Sequence, residues 1–426
     1  MKKLKIFGII ALLILLIAGA LVLIYYKTPT KTFALPEVRL DGMSSKPQEG
    51  CWHTELFFGK VVRDTPLQGE PSKNLGTLDI RKPQLSAPSG GEFRFKLFGP
   101  NPGVPVPAAE GDLAAYEAYE FTHNGNYVLE IDLRYPKTED SDAAEFSYTF
   151  EFALEVKPTI EFSSDRARQG DVLSVYVERG FETEAPTIET PLANPLFLKT
   201  GERTYMAMVP VDYTQAPDVY EINVGIGDTH KSCRVIVTPT KFSEQHMIIS
   251  QSTVDSTMNF PGATKDWVDK IKDKWPLQDD TKYWSGQFMW PVDGSRITTE
   301  FGLFRYTNDN PNPTRHKGID IGVPSGTPIA ATNAGKVIYA GDVIITGKSV
   351  IIEHGSGLKS YYFHLSELGC AEGDMVEKGE IIGLVGSTGY STGAHLHFEM
   401  RIEDKAIDPM PLLDGTSEIY RFEEMD

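Results

Sequence analysis

Cysteine is scarce: Cys51, Cys233 and Cys370 are the only three in 426 residues, and no two form a C-x-x-C pair. That excludes a disulfide-dense scaffold. Basic residues are in deficit, with 41 Lys and Arg against 59 Asp and Glu and a formal charge of −18. Nucleic acid is excluded as a partner, because phosphate binding needs a basic face. Only one long apolar run exists, which excludes a multi-span membrane protein. The His-Glu-x-x-His signature of many zinc proteases is absent from the chain.

The single apolar run, Ile6 to Tyr26, is uncharged. As a helix rising about 1.5 Å per residue it reaches roughly 30 Å, one hydrocarbon core. Lys2, Lys3 and Lys5 precede it and Tyr25-Tyr26 close it. The positive-inside rule then predicts a single-pass anchor in the cell membrane, with the lysines cytoplasmic and the bulk of the chain extracellular, on the cell-wall side. A cleaved signal peptide ending at Ala18-Gly19-Ala20 is the competing reading, but the apolar run continues six residues beyond it. Residues 1–32 hold five lysines and no acid, so the remainder carries −23. Contact with membrane or wall polymer must therefore be specific rather than Coulombic.

The chain is long enough for two or three domains, and its pattern predicts a mainly β protein. Residues 33–50, rich in Pro, Lys, Ser and Thr, read as a stalk after the anchor of residues 1–32. Period-two alternation at Glu92–Leu97, Tyr127–Arg134 and Phe146–Val156, with Pro and Gly between, predicts a β-sandwich over 51–157. A second cycle, with strands at Val172–Val177, Val219–Val224 and Arg234–Val237, predicts another module over 158–240. Both read as small immunoglobulin-like modules, spacers or docking elements without a catalytic cluster. Residues 241–287 read as a connector with a short helix capped by Thr264, striped by Trp267, Val268 and Ile271, and ended by Pro276. From 288 to 413 short strands and Gly-containing turns predict an antiparallel β domain, followed by an acidic tail at 414–426.

Of the nine histidines five fall in that last domain, and four of them, His316, His364, His395 and His397, form a telling pattern. His395, His397, Glu399 and Arg401 alternate with Leu396, Phe398 and Met400. On a strand, residues at i and i+2 share a face, so two imidazoles and a carboxylate project together. Burying them needs a partner, and a metal supplies one. His316 and Asp320, four apart with Gly318 between them, also share a face when extended. Two His and one carboxylate with an open position make a catalytic zinc shell. The alternation does not choose between His395 and His397 as the ligand. His364, in Tyr361-Tyr362-Phe363-His364-Leu365-Ser366, is the further candidate. Glu399 reads first as a structural carboxylate and second as a hydrogen-bond partner for a histidine. His354 reads as structural, Cys370 as a buried thiol, and a Cys51–Cys233 disulfide fits an extracellular location.

Taken together, these segments resemble the lysostaphin-like (LytM-type) zinc endopeptidases of bacterial peptidoglycan. The similarity runs over about residues 288–413: Ile297-Thr298-Thr299-Glu300-Phe301-Gly302, His316 to Asp320, Gly326-Thr327-Pro328-Ile329, Tyr362 to Ser366, Gly373 to Gly379, Ser387 to Glu399 and Asp408-Pro409. The anchor and the 158–240 module are similar to the arrangement in some Gram-positive members. The resemblance implies His316, Asp320 and His397 as Zn2+ ligands and His364 and His395 as catalytic histidines. It implies a membrane-anchored enzyme that hydrolyses peptide bonds in peptidoglycan, with wall-synthesis or division proteins as further partners. The rival readings are a non-catalytic scaffold of a division or sporulation wall complex, and a peptidase of secreted proteins. In Tyr306–Thr314, the residues Asn308, Asp309, Asn310 and Asn312 are able to reach the metal as an inhibitory arm.

Overall fold

A computed structural model describes residues 2–100, 106–293, 296–308 and 310–422. Strand outweighs helix, 42 % to 13 %, as the alternating pattern requires. The chain divides into two compact units, Met1–Lys157 and Pro158–Asp426.

The first unit begins with one helix, Lys2–Lys27, long and apolar enough to cross a membrane. Ile6, Leu12, Leu16 and Leu23 on it are all more than half exposed, an apolar surface of the kind that water-facing helices avoid. The side chains of Lys2 and Lys3 lie outside the described residues. Next comes a large sheet whose centre is the antiparallel pair Gly125–Tyr135 and Ala143–Leu154. Leu129, Ile131 and Leu133 on one strand and Phe146, Tyr148 and Phe150 on the other are buried. Their outward neighbours, such as Glu145 and Arg134, form an exposed ion pair. Each buried side chain contributes about 1.5–3 kcal/mol, so the period-two pattern fixes which face is core.

Residues 33–50 are not a stalk. They supply the strands Val38–Leu40 and Met43–Ser45 and the start of Glu49–Leu56. Val38 and Leu40 are fully buried, and the Phe33 ring lies edge-on to Trp52 at 4.6 Å. Tyr148 also donates its hydroxyl to Pro36 O at 2.8 Å. Three apolar side chains outweigh the loop-like composition around them.

In the second unit, two four-stranded sheets enclose a core of Val175, Val177, Ala207, Val209, Val224 and Val235. The strand Val172–Glu178 is buried on both faces, because Val172, Met206 and Met208 on its sheet join the core of the C-terminal part. That part is a branched sheet of ten strands. At its middle lie Gly347–Gly355, Leu358–Leu368 and Leu396–Ile402, all antiparallel to their neighbours. Val350, Tyr362, Phe398 and Met400 face one core. Ile351, Tyr361 and Phe363 face a second, capped by Ile271 and Trp267 of the connector.

The connector helix is Ala263–Lys270, with Gly262 at φ 86 as its N-cap. Thr264 therefore lies inside the helix and caps nothing; only glycine takes that left-handed turn without strain. Asp266 accepts Ile344 N at 2.9 Å, which pins the helix to the sheet. The segment 414–422 is also not a free tail. Ile419 is fully buried, Phe422 stacks on Tyr176 at 5.4 Å, and Ser174 donates to Glu418 O at 2.7 Å. Residues 423–426 lie outside the described residues.

The three cysteines are free thiols. Cys370 is half-buried, and burial pushes its thiol up to about 11. His354 is fully buried between Ala334 O at 2.7 Å and Ser360 Oγ at 2.8 Å. Burial depresses it to about 4, against an ordinary value near 6.5. The unfolded chain therefore takes up this proton first, and stability present above pH 6.5 is lost as the pH falls toward 4, by about 3 kcal/mol in total. Melting curves of the full chain from pH 7 to 4 should fall more steeply than those of His354→Gln. Equal slopes would show that His354 does not contribute.

Candidate active site and metal centre

Sheet register brings the site together. Asp320, on the strand Ile319–Ile321, pairs directly with His397 on Leu396–Ile402. His397 pairs on its other side with Phe363, whose ring stacks on the imidazole at 5.6 Å. Gly318 makes the first approach feasible: a Cβ there would sit 2.1 Å from Phe398 O. His316, just before this turn, is held by Leu303 O, which accepts its N–H at 3.0 Å.

His316 Nε2, Asp320 Oδ1 and His397 Nδ1 form a triangle with edges of 3.0, 2.8 and 3.0 Å. All three residues are buried. The outer contacts fix what each atom offers. His316 Nδ1 lies 2.9 Å from Glu300 O and donates its proton there. His397 Nε2 lies 3.0 Å from Glu399 Oε1 and donates to that carboxylate. Arg305 Nη2 takes Asp320 Oδ2 at 2.8 Å. Three lone-pair atoms are thus left facing one another, an arrangement that calls for a cation. Metal–ligand bonds of 2.0–2.1 Å in a tetrahedron would give edges of about 3.3 Å, so the residues fit a small divalent ion after a slight expansion.

Without a metal ion, electrostatics put a proton on His397 where the cation would sit. Burial would raise Asp320, yet His316 and His397 hold it well below the usual carboxylate range. Burial would lower His397, yet its hydrogen bonds to Asp320 and Glu399 lift it to about 9. For Glu399, also buried, the nearby Arg401 charge and the His397 hydrogen bond overcome burial and lower it. Arg401 Nε donates to Glu399 Oε2 at 2.8 Å. Glu399 is therefore neither solvated nor idle: it joins His397 to Arg401.

His364 and His395 flank the triangle, their rings 4.9 Å apart. His364 Nδ1 donates to Thr388 O at 2.7 Å, and His395 Nδ1 donates to Gly393 O at 2.8 Å. Both acceptors belong to the loop before the His395 strand, and both contacts leave Nε2 unprotonated. His395 Nε2 lies 3.7 Å from Asp320 Oδ1. Burial, then the neighbouring His395 and His397, depress His364 to about 3, so it is neutral at physiological pH.

His364 owes its place to a bulge. Its φ is 66, in the left-handed region, and the register with Gly347–Gly355 slips between Val350–Tyr362 and Lys348–Leu365. Strict alternation would put His364 on the Tyr362 face. The extra residue keeps Phe363 and His364 together at the site and returns Leu365 to the core. A non-glycine residue held so costs about 1–3 kcal/mol, which is typical of functional positions.

The cleft has two lobes, of about 300 and 270 Å3, and Arg305, His364, Tyr390 and His397 border both. The connector walls each one: Met258, Trp267 and Ile271 the first, Gln245, Met247 and Ile249 the second. Arg305, Met258, Gln245, Met247 and Ile249 were not expected from the sequence, whereas Trp267 and Ile271 lie on the apolar stripe read there. The connector strand Glu244–Met247 runs parallel to Phe304–Thr307, and Gln245 Oε1 accepts Arg305 Nε at 3.1 Å. The arm at 306–314 does not reach the triangle with Asn308 or Asn310. Asn308 closes two hydrogen bonds on the Ile249 backbone, at 2.8 and 3.0 Å, and Asn310 accepts Asn312 N at 3.0 Å. Asp309 lies outside the described residues.

Residues 314–409 match Peptidase family M23. The DD-carboxypeptidase/endopeptidase Mpg of Neisseria meningitidis serogroup B is 40 % identical over 129 residues, 30 % of this chain and 30 % of that protein. The peptidoglycan DD-endopeptidase ShyB of Vibrio cholerae is 36 % identical over 123 residues, covering 28 % and 29 % respectively. The chain thus spans under a third of the length of these curated relatives. Among solved structures, the catalytic domain of lysostaphin from Staphylococcus simulans is 33 % identical, with 29 % of this chain and 94 % of that one covered and a TM-score of 0.27.

Proposed function

We propose, from the match of residues 314–409 to peptidase family M23, that the chain is a zinc metalloendopeptidase that hydrolyses peptide bonds in bacterial peptidoglycan. The observation that carries this reading is the buried triangle of His316 Nε2, Asp320 Oδ1 and His397 Nδ1, flanked by two further unprotonated imidazole nitrogens. Those three atoms would hold the metal. When bound, zinc would acidify a water and polarise the scissile carbonyl. Glu300 O and Glu399 set the tautomers of the two ligand histidines, and Arg305 holds Asp320 so that Oδ1 faces them. His364 and His395 are the acid–base pair. With Nδ1 anchored, each presents Nε2 to the cleft, where it can take a proton from the attacking water. The resulting imidazolium can support the oxyanion and return the proton to the leaving amine. The two-lobed cleft suits a peptide lying across the triangle with one arm in each lobe. The similarity to ShyB, a peptidoglycan DD-endopeptidase, supports a wall peptide as the substrate. Purified sacculi digested with the full chain should release peptides with new amino termini, identified by mass spectrometry. Cleavage of secreted proteins with sacculi left intact would overturn the assignment.

The apolar helix is the membrane anchor in this reading, with its lysines cytoplasmic and both units on the wall side. The mature chain should fractionate with membranes, and external protease should shave it to a short membrane-protected remnant. A mature terminus near Leu21 would show a cleaved signal instead.

A further inference from the structure

Among the described residues only two groups bring three metal-ligating side chains within 4.8 Å of one another. One is the triangle above. The other is Cys51, His53 and Asp64, in the first unit. Its geometry follows from two neighbouring strands, Glu49–Leu56 and Val61–Gln68. Cys51 and His53 are two apart on the first, so both face the same side. Asp64 pairs directly with His53 from the second. The His53 imidazole and the Asp64 carboxylate already meet, Nδ1 to Oδ1, at 2.8 Å. Cys51 and His53 are half-buried and Asp64 is exposed, so an ion can enter from solvent.

We propose that Cys51, His53 and Asp64 form a second metal site, which binds zinc or a similar divalent ion through a thiolate, an imidazole and a carboxylate. The ligand set is borderline-soft, and its mixed chemistry matches zinc better than calcium or magnesium, which take oxygen alone. The surrounding charge favours a cation. The carboxylates of Asp64 and Glu145 both lie near Cys51. Glu145 pairs with Cys51 from the next strand, and Arg134 holds it at 3.2 Å. Glu145 therefore acts through its field rather than as a ligand. Binding replaces the thiol proton, which leaves to water. Three protein ligands leave the fourth position to solvent. The site ties the edge strand Val61–Gln68 to its only neighbour, Glu49–Leu56.

The triangle contains no sulfur, so a thiolate-to-metal band reports the second site alone. The experiment is a cobalt titration of the full chain in detergent under reducing conditions, followed by absorption. The expected result is two cobalt ions per chain and a thiolate-to-cobalt charge-transfer band. Cys51→Ser should remove the band and one equivalent, leaving sacculus hydrolysis unchanged. His316→Ala should keep the band. Asp64→Asn, at an exposed position that does not threaten folding, should weaken the band-forming site more than the 10–100-fold expected for an outer partner. One cobalt per chain with no such band would overturn the proposal, and so would a band that survives in Cys51→Ser.

Discussion

Replacing any one of His316, Asp320 or His397 by alanine is expected to strip the catalytic metal and abolish hydrolysis of sacculi. The three ligand atoms lie within 3.0 Å of one another and each ring is already committed on its far side. The flanking His364 and His395 are tied through Nδ1 to Thr388 O and Gly393 O, away from the ligand positions, and two ligands hold zinc far less well than three. The loss should exceed the roughly 10²–10⁴ carried by a positioned acid–base group. Metal analysis beside a turnover assay checks it, with one equivalent lost in each variant. Full metal content in His397→Ala would mean that His395, on the same strand face, is the true ligand.

His364→Ala should behave differently. It should keep its metal and its fold, yet lose about 10²–10⁴ in kcat. Nothing in the triangle depends on it, since its own anchor is Thr388 O. Its left-handed backbone is a complication for alanine, so His364→Asn is the companion variant, because asparagine tolerates that conformation. A metal-loaded, normally melting variant with near-wild-type turnover would remove His364 from the acid–base pair. A metal-free one would make it a ligand.

How legible the site was depends on which interaction positions each group. The face carrying His395, His397, Glu399 and Arg401 follows from alternation, and the strand Leu396–Ile402 keeps it: Leu396, Phe398, Met400 and Ile402 are all in the core. Alternation could not say which histidine meets Asp320, because that depends on register with a strand 77 residues away. His364 was legible as a candidate beside the other histidines, but its role only through family resemblance. Its bulge breaks the rule by which its face would be read. Arg305 and the connector strand beside it were not legible at all: the parallel pairing of Glu244–Met247 with Phe304–Thr307 joins segments far apart in sequence and leaves no local signal. The same limit hid the buried pair Lys359–Glu353, 3.1 Å apart, since charges at strand positions ordinarily mark a solvated face. The error at residues 33–50 had the opposite origin, composition outweighing three well-placed apolar side chains.

The central claim is that a metal held by the buried triangle performs peptide-bond hydrolysis in the wall. It is tested most directly by measuring peptide release from purified sacculi by the full chain, first after exhaustive chelation and then after zinc is restored. The account predicts release that falls to background on chelation and recovers with zinc in the wild type, but not in His316→Ala. Undiminished release by the metal-free chain would contradict it.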